Sequence, residues 1–301
     1  MAYVDEEIAS QPDCWRRAVT LAGEVAEVLP RPGERVAAVG CGTSWFMAMA
    51  YAGLRETAGL GETDAFAGSE FPFGREYDRI VAITRSGTTT EILDLIRRTG
   101  RPVTAIVGDP SSPAVQLAAD SVIMPWADEK SVVQTRFATS ALALLRTHLG
   151  FGVDVERAAA DAEFAVRAPL PLDPSAIEQV TFVGRGWTIG LAQEAALKCR
   201  EAATFWTEAY PAMDLRHGPI SIAAPGRAVW AFGEIPAGLV GDVEATGAAF
   251  VHTRFNGVDH EPLDPAADLV LAQRFAVALA RHRGLDPDQP RNLTRSVILE
   301  P

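Results

Sequence analysis

Four residues in the second half of the chain have side chains suited to acid–base chemistry. Glu194, Lys198 and Glu201 are spaced i, i+4 and i+7, so they share one face of a predicted helix. His217 follows in a predicted loop, directly before Gly218-Pro219. A carboxylate and a histidine can move a proton between neighbouring carbon atoms near neutral pH. An exposed stripe of ion pairs and a surface histidine are the alternative, so the prediction depends on other motifs.

A turn rich in hydroxyl groups connects a predicted strand to a predicted helix in the first half. It reads Thr84-Arg85-Ser86-Gly87-Thr88-Thr89-Thr90. Backbone N–H groups at a helix N-terminus, hydroxyl donors and a glycine that permits close approach together suit a phosphate group. An ordinary N-cap is the alternative, but a cap requires one hydroxyl and this turn has five. We therefore favour phosphate binding.

A second turn with hydroxyl groups, Cys41-Gly42-Thr43-Ser44, also joins a strand to a helix. It is weak evidence alone, because Thr43 or Ser44 could simply cap the helix. Together with the first turn it predicts the other side of a sugar pocket. Cys41 has no activating base near it in sequence, so we interpret it as a packing residue.

These motifs lie within alternating strands and helices. Strands are predicted at 35–40, 79–84, 102–107, 121–124, 179–184 and 228–233. Helices are predicted at 45–56, 90–98, 132–149, 154–167, 188–203 and 269–283. Continuous apolar strands separated by helices indicate an α/β protein with parallel sheets covered on both faces.

The chain is predicted to form two domains joined by a proline-rich linker. Three prolines fall within 168–174, and the two halves echo each other in sequence. Val39-Gly40-Cys41-Gly42-Thr43-Ser44 corresponds to Val183-Gly184-Arg185-Gly186-Trp187-Thr188. This echo suggests a duplicated unit, although chance similarity of two Gly-x-Gly turns is the alternative. The predicted domains are 1–168, with the phosphate site, and 175–301, with the catalytic segment and a C-terminal tail.

Composition and charge limit the classes of partner. The net charge of -12 disfavours non-specific binding to nucleic acid or to an anionic membrane. Three widely spaced cysteines suggest reduced thiols rather than disulfides or a zinc site. The acidic N-terminus is unlike a signal peptide, and no apolar stretch approaches the length of a membrane span. We expect a cytoplasmic protein.

The motifs together resemble the SIS-domain (sugar isomerase) family, and in particular the isomerase half of glutamine–fructose-6-phosphate aminotransferase. Four ordered segments carry the resemblance, which spans nearly the whole chain. They are Glu7-Ile8 with Gln11-Pro12; the two hydroxyl-bearing turns; Glu194 to Glu201 with Glu208-Ala209-Tyr210 and His217-Gly218-Pro219; and the tail from Asp288 to Val297. The resemblance implies two tandem SIS domains, each a flavodoxin-like three-layer sandwich.

The resemblance also implies roles for individual residues. Glu201 would transfer the proton between C1 and C2, Lys198 would orient the substrate or Glu201, and His217 would assist ring opening from a second subunit of a homodimer. The residues implied in sugar or phosphate binding are Cys41, Gly42, Thr43, Ser44, Thr84, Arg85, Ser86, Gly87, Thr89, Gln134 and Thr135. Arg291 and Arg295 would belong to the C-terminal tail, which contributes to the site.

Three departures from the family pattern alter the expected chemistry. Arg85 stands where the family has a neutral residue in the phosphate turn and could add a charge-assisted contact. Too few residues precede the first predicted strand for the family's glutaminase domain, so we expect no glutaminase activity. The tail lysine that would form a Schiff base is Arg295, and a guanidinium is not a nucleophilic amine. Arg295 could still polarise a carbonyl group.

The leading hypothesis is an isomerase or deaminating isomerase for a hexose or amino-sugar 6-phosphate, acting without a metal or other cofactor. The alternative is a non-catalytic sugar-phosphate sensor. A DNA-binding regulator is disfavoured because no segment before the first strand is large enough for a helix-turn-helix domain. A nucleotide-binding oxidoreductase is disfavoured because neither Gly-x-Gly turn continues as G-x-G-x-x-G.

Overall fold

The fold consists of two parallel β-sheets with helices packed on them, as seen in a computed structural model that describes residues 2–253 and 262–299. This confirms the predicted α/β class. Within these residues no helix combines the length and the apolar character needed to cross a bilayer.

The first sheet has five parallel strands in the order β2-β1-β3-β4-β5. The strands are β1 (Val36–Gly40), β2 (Thr63–Ala67), β3 (Arg79–Thr84), β4 (Val103–Val107) and β5 (Asp120–Ile123). The three central strands β1, β3 and β4 are almost fully buried, as expected when helices cover both faces. This strand order is that of flavodoxin-like folds, whose ligands bind beyond the carboxyl ends of the strands.

Helices before, between and after these strands complete the first part of the chain. They are α1 (Tyr3–Ala9), α2 (Gln11–Glu24), α3 (Thr43–Thr57), α4 (Thr90–Arg98), α5 (Pro113–Leu117), α6 (Arg136–Arg146) and α7 (Gly152–Ala165). The helix predicted at 132–149 is wrong at its start, whereas its predicted end agrees with the structure, in which a π-helical turn, Thr147–Phe151, continues α6. Glu129 accepts hydrogen bonds from the amides of Thr135 and Arg136, which starts α6 there, and Gly150 at φ 97° separates α6 from α7.

The second sheet has four parallel strands in the order β7-β6-β8-β9. The strands are β6 (Gln179–Gly184), β7 (Thr207–Pro211), β8 (Arg227–Phe232) and β9 (Ala249–Val251), and the helices are α8 (Thr188–Ala203), α9 (Leu239–Glu244) and α10 (Pro265–His282). The order is that of the first sheet without its fifth strand, so the two sheets follow one topology.

The sequence echo between the halves corresponds to one recurring backbone turn. Gly42 and Gly186 have φ angles of 55° and 57°, which favour glycine. A Cβ atom on Gly40 would lie 2.4 Å from the carbonyl carbon of Ser44, and one on Gly184 would lie 2.3 Å from the carbonyl oxygen of Thr188. In both sheets glycine therefore lets the following helix approach the end of the first strand.

The chain divides into two compact units whose limits differ from the predicted domain ranges. The sheet-1 unit comprises Asp13–Glu156 and Thr294–Pro301, and the sheet-2 unit comprises Met1–Pro12 and Arg157–Leu293. The N-terminal segment joins sheet 2 because the backbone amides of Tyr3 and Val4 donate to the carboxylate of Asp288, at 2.7 and 2.8 Å. The C-terminal tail joins sheet 1 through contacts described below.

Candidate functional site

The hydroxyl turn, Ser86 to Thr90, is set by glycine at its centre. Gly87 has a φ of 60°, and a Cβ atom there would lie 2.1 Å from Oγ of Ser112. Neither the backbone conformation nor the space therefore accepts a larger residue. Thr84 and Ser86 are buried, and Thr89 precedes the first residue of α4. The turn thus lies at the carboxyl end of β3, where ligands of such sheets bind.

Ser86 and Thr88 are joined by hydrogen bonds within this turn. The amide of Thr88 donates to Oγ of Ser86 at 3.2 Å, and Oγ1 of Thr88 lies 2.9 Å from the same oxygen. These bonds hold the Ser86 hydroxyl in one position at the helix N-terminus.

The C-terminal tail, Thr294 to Leu299, crosses the hydroxyl turn. The amide of Thr90 donates to the carbonyl of Val297 at 3.1 Å, and the amide of Leu299 donates to Oγ1 of Thr90 at 2.9 Å. Oγ of Ser296 lies 2.9 Å from Oγ1 of Thr88. The tail therefore uses one helix N-terminal amide and touches two side chains of the turn, which sequence spacing could not indicate.

Arg295 anchors this tail by an ion pair. Its guanidinium contacts both carboxylate oxygens of Asp128, at 2.6 and 2.8 Å, and also donates to the carbonyl of Glu129. Nη2 makes both carboxylate contacts, and Nη1 makes the carbonyl contact, so the guanidinium is attached at two points of the same loop. The residue found where the family pattern would have lysine is thus tied to the loop before α6.

Arg85 also binds the tail. Its buried guanidinium donates to the carbonyl of Ser131 at 3.0 Å and to the carbonyl of Arg295 at 2.9 Å, and lies 3.9 Å from the carboxylate of Glu129. In the structure this side chain connects three backbone segments around the turn. A contact between its guanidinium and a phosphate stays a prediction.

The second hydroxyl-bearing turn lies in the same unit. Thr43 and Ser44 are buried at the start of α3, and Oγ of Ser44 lies 3.4 Å from the side-chain oxygen of Gln134. Thr135 donates from its hydroxyl to Glu129 at 2.7 Å. Burial raises the pKa of the Cys41 thiol to about 11, which agrees with a packing role and disfavours a nucleophile. The sheet-1 unit thus contains every predicted phosphate-site residue.

Glu194, Lys198 and Glu201 of α8 form a triad of charged side chains in the sheet-2 unit. Nζ of Lys198 lies 2.5 Å from the Glu201 carboxylate and 3.5 Å from that of Glu194. Lys198 and Glu194 are each 1% exposed, whereas Glu201 is 20% exposed. The exposed ion-pair stripe considered from sequence is therefore wrong. Only Glu201 combines a fixed position with access to solvent.

Glu201 lines a cavity of about 560 Å³ within this unit. Trp206 and Arg291 line the same cavity. Trp206 was missed in the sequence because an isolated aromatic residue after a helix has no distinctive spacing; its 74% exposure is unusual for such a large side chain. Glu201 thus faces a space of the size that small-molecule sites have.

His217 ends a short 3-10 turn, Asp214–His217, and its side chain is exposed. Gly218 follows at φ 136°, a conformation that favours glycine. His217, Lys198, Glu201 and Arg291 belong to the sheet-2 unit, and the hydroxyl turn belongs to the sheet-1 unit. Their cooperation on one substrate stays a prediction.

Comparison with known proteins gives relatives of known activity. The chain is 29% identical to glutamine–fructose-6-phosphate aminotransferase of Sulfolobus acidocaldarius over 297 residues, covering 88% of this chain and 50% of the relative. The same enzyme of Methanothermobacter thermautotrophicus is 29% identical over 341 residues, covering 99% and 58%. The chain thus spans about half the length of these relatives. No protein-family model matches it.

Solved structures share the fold at low sequence identity. A glucosamine-6-phosphate deaminase of Thermotoga maritima has a TM-score of 0.82 at 23% identity, covering 99% of this chain and 100% of that one. The C-terminal domain of the aminotransferase from Francisella tularensis has a TM-score of 0.79 at 20% identity, covering 96% and 98%. Tagatose-6-phosphate ketose/aldose isomerase of Escherichia coli has a TM-score of 0.80 at 17% identity, covering 100% and 97%.

Proposed function

Since the chain is homologous to glutamine–fructose-6-phosphate aminotransferases over about half their length, as its motifs predicted, we propose that it is a phosphosugar isomerase or deaminating isomerase. Its two compact units would be two SIS domains. The sheet-1 unit would bind the phosphate group through the hydroxyl turn together with Thr43 and Ser44, and Gln134 and Thr135 would line the sugar pocket.

The single observation that carries this proposal is the position of the Glu201 carboxylate. Its carboxylate is held by the buried ammonium of Lys198 and lines the cavity. A general base has to be fixed in position yet reach its substrate, and Glu201 meets both conditions. Glu194 does not, because it is buried beneath Lys198.

The proposed reaction is a proton transfer between C1 and C2 of the open-chain sugar. Glu201 removes the proton from one carbon while the carbonyl oxygen takes up a proton, which gives the enediol. Glu201 then returns its proton to the former carbonyl carbon, while the hydroxyl on the first carbon releases its proton and becomes the new carbonyl, so that one proton has passed from one oxygen to the other. With an amino group on C2 of an aldose, the same transfer to C1 leaves a C2 imine that water hydrolyses to a ketose and ammonia. His217 would transfer the ring-opening proton.

Activity on a panel of sugar phosphates tests this proposal. Fructose 6-phosphate, glucosamine 6-phosphate and tagatose 6-phosphate are incubated with the protein, and products and ammonia are measured by NMR and a coupled assay. We expect turnover of at least one compound, and loss of about 10²-fold or more in Glu201→Gln. Glu178→Gln, which changes an exposed carboxylate of the same unit, should keep wild-type activity. Binding without turnover on every compound would refute the enzyme proposal.

We also propose a homodimer in which His217 serves the site of the partner subunit. His217 is exposed, so it is free to meet a second copy. Mixing Glu201→Gln with His217→Ala chains then gives mixed dimers with one intact site, and a statistical mixture recovers about a quarter of wild-type activity. No recovery beyond the sum of the two variants would show that each subunit uses its own histidine. A cytoplasmic location is a separate proposal.

A sugar-phosphate sensor is the second candidate, and Arg295 favours it. This arginine is paired with Asp128 and is not a nucleophilic amine, so imine formation at this position is not available. A sensor would be stabilised against heat by a sugar phosphate, and its output would be indifferent to Glu201→Gln. An isomerase would lose activity in the same variant.

A further inference from the structure

Ser86, Thr88 and Ser296 form a chain of three hydroxyl groups that runs from the C-terminal tail into the hydroxyl turn. Oγ of Ser296 lies 2.9 Å from Oγ1 of Thr88, which lies 2.9 Å from Oγ of Ser86. The two outer residues are 210 positions apart in sequence, so only the fold brings them together.

The direction of the hydrogen bonds among these three hydroxyl groups decides whether Ser86 can donate to a phosphate. Each hydroxyl has one proton to donate and two lone pairs that accept. The amide of Thr88 already fills one lone pair of Ser86. When Thr88 also donates its proton to Ser86, both lone pairs are filled and the Ser86 proton is free to donate outward. In the reverse direction the Ser86 proton is used by Thr88, and a phosphate at the turn loses that donor.

Thr88 has one hydroxyl proton and two hydroxyl neighbours at 2.9 Å, Ser86 and Ser296, so the Ser296 hydroxyl can either accept that proton or donate its own. When Ser296 donates to Thr88, the proton of Thr88 is directed toward Ser86, and the Ser86 proton is directed toward the ligand. A chain of hydroxyls that all donate in one direction also strengthens each bond by polarisation. We propose that Ser296 is a positioning residue, which acts through Thr88 to make Ser86 a phosphate donor. This inference rests on the proposed phosphate site.

The tail itself is held in place by bonds that do not involve the Ser296 side chain. The Arg295–Asp128 ion pair, the Thr90 amide bond to Val297 and the Leu299 amide bond to Thr90 all remain when the hydroxyl of Ser296 is removed. Ser296→Ala therefore tests the hydroxyl, with the position of the tail unchanged.

Calorimetric titration with inorganic phosphate and with fructose 6-phosphate tests the proposed role of these three hydroxyl groups. Ser296→Ala should weaken binding of both about three- to tenfold, the loss of one modest hydrogen bond. In a Thr88→Val background, Ser296→Ala should have no further effect, because its route to Ser86 is gone. In a Thr88→Ser background the full effect should return. Ser175→Ala, which changes an exposed serine bonded to Asp173 in the other unit, should bind like wild type.

Steady-state kinetics distinguish a role in phosphate binding from a purely structural role of Ser296. For any sugar phosphate that is turned over, Ser296→Ala should raise KM by the same factor and leave kcat unchanged, because the phosphate does not react. Wild-type phosphate affinity in Ser296→Ala, or an undiminished effect in the Thr88→Val background, would overturn the inference. Absence of phosphate binding to the wild type would overturn it too. Phosphate binding without turnover would refute only the isomerase proposal.

Discussion

Asp268 should make the stability of the protein fall as the pH rises through neutrality. Its carboxyl group is 3% exposed on α10, and the indole Nε1 of Trp230 donates to both oxygens at 3.2 and 3.3 Å. Burial raises the pKa of this group from 3.8 to about 7, although hydrogen bonds partly offset the effect. The folded state therefore holds a proton that the unfolded state has already released at pH 6.

The size of the effect follows from proton linkage. Because the folded state binds more protons, the free energy of unfolding decreases with pH in this range. The stabilisation is complete below pH 3.8 and is lost as the pH passes 7. At about 1.4 kcal/mol per tenfold change in proton affinity, the whole loss is on the order of 4 kcal/mol. Between pH 6 and pH 8 the loss from this group is about 1.4 kcal/mol.

Asp268→Asn removes the titration and keeps an oxygen that can accept from Trp230. The free energy of unfolding is measured with urea at pH 6, 7 and 8. Relative to the wild type, that of the variant should rise by about 1.4 kcal/mol between pH 6 and pH 8. Asp13→Asn, which changes a side chain that is 86% exposed, should keep the wild-type pH dependence. A difference between wild type and Asp268→Asn that stays constant with pH would refute the reasoning.

Two further predictions concern the sheet-1 unit. Cys41 should resist alkylation by iodoacetamide at pH 7.5 in the folded protein and react after unfolding, since burial raises its pKa to about 11; rapid labelling of the folded protein would contradict this. Gly87→Ala should lower the free energy of unfolding by about 2 kcal/mol or more and abolish phosphate binding, because the added atom meets Ser112. Gly59→Ala separates backbone strain from the steric contact with Ser112. Gly59 has a similar φ of 68°, but no atom lies within 4 Å of the added carbon. Equal losses in both glycine variants would assign the whole effect to backbone strain.

The sequence predicted the central strands well because their apolar residues are continuous. The strands predicted at 79–84 and 179–184 match β3 and β6 at both ends. It missed the edge strands β2, β7 and β9, in which most residues are only partly buried or exposed. A strand of this kind is recognised by the neighbour with which it pairs, and the pairing is not local in sequence.

The candidate site shows the same distinction between local and distant information. The spacing of Glu194, Lys198 and Glu201 placed them on one helix face, as α8 confirms. Their burial depends on the packing of the whole unit and could not be read from spacing. The contacts of Arg295 with Asp128 and of Ser296 with Thr88 join residues that are 167 and 208 positions apart. No periodicity within a window reports such contacts.

Deuterium incorporation tests the role of Glu201 most directly. The sugar phosphate that is turned over is incubated in D2O with excess protein, and the hydrogen content at C1 and C2 is followed by NMR. We predict that the wild type incorporates solvent deuterium at these carbons and that Glu201→Gln loses this exchange about 10²-fold or more while still binding the sugar phosphate. Wild-type exchange in Glu201→Gln would contradict the proposal that this carboxylate is the base.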